Sequence, residues 1–449
     1  MVTAVAGALF YVALVAQTPG PETPPAPAAE PQPVPTPPPS LVPPAPPPAN
    51  ADQPAGIWEP PHYDKGFVLV STPESAPMPY RLKLNHVSQF KYTNTMLVHS
   101  TYTTHLGVVT PVNQRNDFQL TRDVFYFSGY AFDQNLDYNI ILYTSTADLT
   151  AAAAGYVGYV FGRAFALRAG FFSLPSLREM TGTYPYFAGT DRSMAVNYMR
   201  PGFTQGVWAN GELVPGLNYI AMAGNSLNTL NISASRIDYR LAYSASVWYD
   251  LNQFGKAWND YEHHESPALR LGTAFTYARE DRLSDLSQSN PENNSTYISD
   301  GTLLFGTGTL VTGVTVSLAS VYIAEVDLGI KYRGLAFNTE WMARWLNEFQ
   351  ADGPLPISSM FDWAYDASLG YFVVKKRWEA YVRSSLVHGP FATGFEGAVG
   401  SHWYPFHTRE VWLSAEVIGI KNSPYTSVLY IYTSGQTGFL FPVQLLVRF

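Results

Sequence analysis

The chain has 449 residues, of which 14% are charged and 15% aromatic, an inverted balance for a protein whose whole surface meets water. A net charge of -8 argues against nucleic acid as a partner, which needs a basic surface. The absence of cysteine excludes disulfides, thiolate metal sites and cysteine nucleophiles, and no apolar run approaches the ~20 residues of a membrane-spanning helix.

Residues 1–16 (MVTAVAGALFYVALVA) are uncharged and apolar and end at Ala16 before polar Gln17. They read as a signal peptide, although no Lys or Arg precedes Lys65; the alternative is an apolar tail. Residues 17–61 hold 19 of the 35 prolines. Proline fixes φ and removes the backbone donor, so this stretch cannot pack and should extend as polyproline II. It is expected to be a disordered Pro/Ala-rich periplasmic linker, either reaching peptidoglycan or ending without a partner.

Residues 62–449 are expected to form the folded domain, and from Tyr80 the pattern is period two. In RLKLNHVSQFKY, Leu82, Leu84, Phe90 and Tyr92 share one face, opposite Arg81, Lys83, Asn85, Gln89 and Lys91. AEVDLGIKYRG sets Val326, Leu328, Ile330 and Tyr332 against Glu325, Asp327, Lys331 and Arg333. LAFNTEWMARWLNEF sets Leu335, Phe337, Trp341 and Trp345 against Asn338, Glu340 and Arg344. Strands of about ten residues with one apolar and one polar face follow the lipid-out, polar-in code of an outer-membrane barrel. A soluble sandwich also alternates, but here Tyr and Trp gather toward strand ends, where interfacial girdles would lie. The polar faces mix acids with bases, as a water-filled lumen would. The chain ends in FLFPVQLLVRF, with Phe439, Phe441, Val443, Leu445, Val447 and Phe449 on one face and Gln444 and Arg448 on the other. Such a closing strand with a terminal aromatic is what the outer-membrane assembly machinery reads, so Phe449 is the expected assembly signal. The expected fold is all-β: a transmembrane antiparallel barrel of sixteen strands, which gives each strand and its connection about 23 residues.

The block from Gly155 to Leu213 resembles the phosphate-selective porin O and P family. It carries an Arg168-x-Gly170-x-Phe172 strand, then Pro175 and Glu179, the pair Arg192-Ser193, Pro201-Gly202, and a strand with Gly206 and Gly211. Two further blocks, around Arg122 and around Glu379 and Arg383, extend the resemblance over residues 80–449. It implies a bacterial outer-membrane porin, a homotrimer, and small hydrophilic or anionic solutes as cargo.

Thirty residues between Ser173 and Gly202 are too many for a hairpin. In sixteen-stranded porins the corresponding loop folds inward, which would bring Arg178, Glu179, Asp191, Arg192 and Arg200 to the pore constriction; the other reading is an extracellular loop with solvated charges. The expected lumen-facing bases are Arg81, Lys83, Lys91, Arg122, Arg168, Arg270, Lys331, Arg333, Arg344 and Arg383. Acids Asp281, Asp285 and Glu292 could bridge divalent ions on lipopolysaccharide. His263 and His264 lie beside Glu262 and Glu265, but neighbours in a loop point apart and no third ligand follows at metal spacing. No nucleophile elbow, P-loop or zincin motif occurs, so neither enzyme nor cofactor is expected. The reading is passive diffusion across the outer membrane. Its competitors are a structural protein with a plugged barrel that links membrane to cell wall, and a soluble secreted β-protein that binds polysaccharide.

Overall fold

The computed structural model describes residues 59–73, 76–147, 151–230, 232, 234–237, 239–282, 296–427 and 431–449. The signal peptide, all but the last residues of the Pro-rich stretch, and Asp285 and Glu292 lie outside them.

Among these residues sixteen antiparallel strands close into a barrel. They are β1 Tyr80–Leu97, β2 Asn116–Ala131, β3 Asp133–Thr144, β4 Ala151–Gly162, β5 Phe165–Ser173 and β6 Phe203–Val214. Then come β7 Leu217–Gly224, β8 Ala242–Leu251, β9 Ala268–Asp281, β10 Val314–Tyr332 and β11 Leu335–Ala351. The last five are β12 Ser359–Val374, β13 Trp378–His388, β14 Thr393–Trp403, β15 Val411–Lys421 and β16 Gly438–Arg448. Each strand pairs with the next, and β16 closes on β1 from Gly438↔Leu97 to Arg448↔Val87. Closure leaves no barrel edge with unpaired backbone groups, which a bilayer does not tolerate. One rim carries short turns, such as that at 333–334, and the other carries the longer connections.

The alternation explains the two surfaces. Val326, Leu328, Ile330 and Tyr332 of β10 are exposed, while Glu325, Asp327 and Lys331 between them are buried inside. Aliphatic side chains such as Ile140, Val157, Val207, Val382 and Val399 form an exposed outer belt. Phe165, Tyr332, Trp378 and Trp403 flank it at the short-turn rim, and Phe118, Phe361, Phe395 and Phe439 at the other. An apolar surface of that extent has no counterpart on a water-soluble monomer; it faces lipid between two aromatic girdles.

At the short-turn rim a small hairpin, His62–Tyr63 with Phe67–Ser71, lies against the start of β1, pairing Phe67↔Leu84 and Ser71↔Arg81. It occupies the part of the β1 edge that lies beyond the end of β16. Between the two, Phe449 exchanges backbone hydrogen bonds with His86, and its ring meets Phe67 edge-on at 5.2 Å.

Candidate functional site: the barrel interior

Residues 174–202 leave β5 at the long-loop rim and turn into the barrel. Their sole α-helix among the described residues is α1, Met194–Met199. Three seats fix the segment. In the first, Asp191 accepts from Lys91 Nζ at 2.7 Å and takes both Arg122 amino groups at 3.0 Å, all three side chains being 5% exposed or less. Burial alone would raise the Asp191 carboxyl, but the Arg122 and Lys91 charges outweigh it and hold it well below the usual carboxylate range. In the second, Arg383 lies between Glu396 and Glu416. These acids also accept the backbone N–H groups of Met194 and Thr190, so β14 satisfies a donor at the start of α1, where Ser193 supplies the side-chain cap, and β15 one in the segment before it. In the third, Arg178 donates to Asn338 at 2.9 Å and stacks over Trp258 at 4.2 Å.

Trp258 comes from the opposite rim. The connection between β8 and β9, residues 252–267, is long for the short-turn side and also enters the barrel, burying Phe254, Trp258 and Tyr261. Lys331 donates to the carbonyls of Phe254 and Ala257 at 2.8 and 2.7 Å, and Asn338 to that of Trp258 at 2.7 Å. The two inserted segments meet where the Trp258 backbone N–H donates to the Tyr186 carbonyl at 3.2 Å.

Around these seats the interior is packed. Leu174, Met194, Val196 and Met199 join inward side chains of the wall, among them Met342, Leu346, Val387, Ile418 and Leu440, in one apolar cluster. A second, more aromatic cluster lies toward the short turns, around Phe372, Tyr404, Trp412 and Leu446. The expectation of a water-filled lumen is thereby corrected for most of the cross-section. The strands supply apolar residues on both faces, and the inward ones bury against the inserted segments.

The placement of the expected site residues follows. Arg178 is 1% and Arg192 7% exposed; Arg192 lies over Phe187 and 3.8 Å from Glu179, whose carboxyl burial pushes up against the pull of Arg192. Arg200 ends α1 and is half-buried, donating to Asn197. Among the lumen bases, Lys91, Arg122, Arg270, Lys331, Arg344 and Arg383 are buried; Arg270 pairs with Asp327 at 2.6 Å and Arg344 with Asp362 at 2.7 Å. Arg81, 30% exposed, pairs with Asp64 of the hairpin, and Lys83 is half-buried near the same rim. Arg333 is not on the wall: it occupies the β10–β11 turn with positive φ, because the strand ends at Tyr332.

Arg168 differs from the rest. It pairs with Asp137 at 2.8 Å, and their side chains keep 15% and 24% exposure. Both face inward, so the space that exposes them is inside the barrel. The same holds along this wall: inward-facing Asp137, Asn139, Ile141 and Tyr143 of β3 are all half-buried, from one end of the strand to the other, as are Ala152, Ala154 and Tyr156 of β4. These are the least enclosed inward side chains of the wall, so what room the packed interior leaves lies off-centre, beside β2–β5. The inward residues Ala152 and Ala154 are small, while Arg168 lies over Gly158 and Tyr156 against Gly170. The sequence signal was the run AAAAG before Tyr156, which a lipid-facing count alone passes over.

A closed sixteen-stranded barrel with an apolar belt, aromatic girdles and a segment folded inside is a transmembrane barrel of the bacterial outer membrane, of porin architecture. No family model and no curated protein matches the sequence. Among solved structures the chain is similar to the outer-membrane expressed OmpT of Vibrio cholerae, with a TM-score of 0.52, 11% identity, and coverage of 84% of this chain and 99% of that one. An anion-selective porin from Comamonas acidovorans gives 0.48, 11%, 82% and 99%, and OprB of Pseudomonas putida 0.45, 11%, 82% and 94%. At such identities the likeness is one of fold.

Proposed function

We propose that the protein is a passive outer-membrane diffusion channel whose path for small hydrophilic solutes is the off-centre passage between the inserted segment 174–202 and the wall of β2–β5. The observation that carries this reading is the unbroken run of half-buried inward residues on β3, against a packed interior elsewhere. Catalysis plays no part in it. The competing plugged barrel gives no current in a planar bilayer, whereas the passage gives small, steady conductance steps. Since the chain has no cysteine, a single Asn139→Cys should react with a water-soluble thiol reagent and lose current. Ser385→Cys, at a position that is 0% exposed, should stay unreactive. Reaction at Ser385→Cys with none at Asn139→Cys would refute the proposed path.

Resemblance to phosphate-selective porins supports an anion preference, but Arg178 and Arg192 are buried, and the cation on the passage, Arg168, stands beside Asp137. A balanced path gives weak selectivity at most, so a reversal potential near zero in a salt gradient is expected. A homotrimer is supported by the resemblance and by the outer face of β3–β5, where Ile140, Gly155, Val157 and Ala169 border a shallow apolar groove; crosslinking in mild detergent tests it. Recognition of Phe449 by the assembly machinery, contact with lipopolysaccharide, and a cleaved signal followed by a linker toward peptidoglycan complete the proposal.

A further inference from the structure

The rim of short turns is uneven in charge. In barrels of this class such turns face the periplasm, so the rim lies level with the headgroups of the inner leaflet. On one arc the β4–β5 turn carries Arg163, whose guanidinium is taken by Glu212 through two bonds of 2.8 and 2.6 Å. The flanking turns, Phe132 after β2 and Pro215–Gly216 after β6, carry no charge. On the other arc the β10–β11 turn is Arg333–Gly334 and the β12–β13 turn is Lys375–Lys376–Arg377, four bases without an acid. Arg409 of the next connection is already paired with Glu262 at 2.9 Å. Glu265 lies 3.8 Å from Arg333 and 3.9 Å from Lys375, but the three side chains are 73%, 62% and 55% exposed. Pairs so open to water contribute little, and one carboxylate stands against four bases.

Two observations turn this charge toward lipid. The first is position. Arg333 follows Tyr332, and its guanidinium lies 5.0 Å over that outward ring. Arg377 precedes Trp378, which is in register with Trp403 and is anchored by donating Nε1 to Ser401 at 2.6 Å. Tyr332, Val374, Trp378 and Trp403 are all exposed on the outer wall, so the bases stand where the aromatic girdle ends and the headgroup layer begins. The second is the backbone. Arg333 and Lys376 have φ of 47° and 55°, in the left-handed region where Gly or Asn costs less. Arg333 opens a two-residue turn whose second residue, Gly334, also has positive φ, and such turns favour Asn-Gly. The fold does not ask for a base at either position, and charge is kept there against local preference. A phosphodiester has the matching chemistry: a guanidinium grips two of its oxygens and an ammonium adds a point charge.

We propose that the β10–β11 and β12–β13 turns form a docking site for an anionic phospholipid of the inner leaflet, its phosphodiester held by Arg333, Lys375 and Arg377 and its acyl chains lying along Val374 and Trp378. The site is on the outside of the wall and independent of the passage. The test uses the full-length protein in a neutral detergent, incubated with equal amounts of dioleoyl phosphatidylglycerol and dioleoyl phosphatidylcholine. After gel filtration the retained lipids are counted by mass spectrometry. The native protein should retain the glycerol lipid about tenfold over the choline lipid, as a few bases near one anionic headgroup imply. Arg333→Asn, Lys375→Gln, Lys376→Asn and Arg377→Gln together should bring the ratio near one while heat-modifiable mobility is kept, because Asn suits both left-handed positions. Arg163→Gln, which removes a base already held by an acid, should leave the ratio unchanged. Equal retention of the two lipids by the native protein, or an unchanged preference in the fourfold variant, overturns the proposal. An equal loss with Arg163→Gln would spread the effect over the whole rim and overturn the site. Sedimentation with isolated peptidoglycan that the fourfold variant loses, without any lipid preference, would give these bases to the cell-wall polymer and overturn it as well.

Discussion

Replacing Asp191 by Asn removes the one acid that two buried bases share. In the native protein Lys91 and Arg122 are 1% and 5% exposed and both are bonded to its carboxylate; the amide leaves their charges largely uncompensated. Breaking a buried pair by removing one partner costs about 3–5 kcal/mol. With tenfold per 1.4 kcal/mol, release of the inserted segment should become about two to three and a half orders of magnitude more frequent. The barrel ladder is untouched, so the assay must read the segment. Trypsin added to the detergent-solubilised protein should cut Asp191→Asn at Arg178 and Arg192, which are buried in the native chain, while heat-modifiable mobility is retained. Replacing all three residues by apolar ones of similar volume, Lys91→Met, Arg122→Met and Asp191→Leu, should restore much of the resistance, since a complete buried ionic cluster exchanges for packing at little cost. The pH dependence follows from the sign of the shift. A carboxyl depressed in the folded state contributes stability that is present above its unfolded value and lost only as pH falls through the folded one. Because the folded value lies well below the usual range, this seat should hold from pH 7 down to about pH 4. Unchanged protease resistance in Asp191→Asn would refute the claim that the pair fixes the segment.

Ile140 and Ile141 are neighbours on β3 with opposite facings. Ile140→Arg should destabilise the barrel by about 2–4 kcal/mol near the bilayer midplane, seen as a lower unfolding midpoint in urea. Ile141→Arg should fold and instead shift the reversal potential toward anions; equal effects would reverse the facing. Deleting Phe449 removes the ring contacts with Phe67 and His86 and should lower the assembled, heat-modifiable fraction, and an unchanged membrane yield would exclude a terminal signal there. Lys331→Met removes the donor that holds the carbonyls of Phe254 and Ala257. It should loosen residues 252–267 and raise conductance or its noise, whereas a silent variant would mean that other contacts suffice.

The wall was legible in the sequence because a period of two maps each residue to lipid or interior without tertiary knowledge. Leu445 and Gln444, or Trp341 and Glu340, went to the right sides for that reason. Length excluded a hairpin for residues 174–202, and their inward course was read from the corresponding loop of sixteen-stranded porins, against an extracellular loop as the other reading. What filled the interior was not legible. In WMARWL, Trp341 and Met342, then Trp345 and Leu346, are apolar on both faces. Alternation assigns such pairs to two sides but does not say that the inward one meets protein instead of water. Residues 252–267 were missed more completely, since GKAWNDYEHHES is as polar as any exposed turn. Only Phe254, Trp258 and Tyr261 mark it as buried, and their partners lie far away in sequence: Arg178 and Lys331 for the first two, Phe372 and Tyr404 for Tyr261. Pairing of the wall bases is a property of convergence in space: Lys91, Arg122 and Asp191 come from three separate segments.

The division of the β1 edge between two distant parts of the chain bears on how the barrel is assembled. The hairpin at 62–71 takes the stretch from Arg81 to Leu84, β16 takes Val87 to Leu97, and Asn85 at the joint donates to both the Lys65 and the Phe449 carbonyls. The hairpin adjoins β1 in sequence and can occupy its portion without the rest of the barrel, whereas β16 comes from the far end of the strand order. A strand arriving to close the ring then finds the remaining edge already bounded. It can slide no further than the joint, where its terminal residue abuts the hairpin. A slip of one residue would turn every lipid-facing side chain of that strand inward, so a doorstop at this position would set the alignment of the final closure before that strand reaches it.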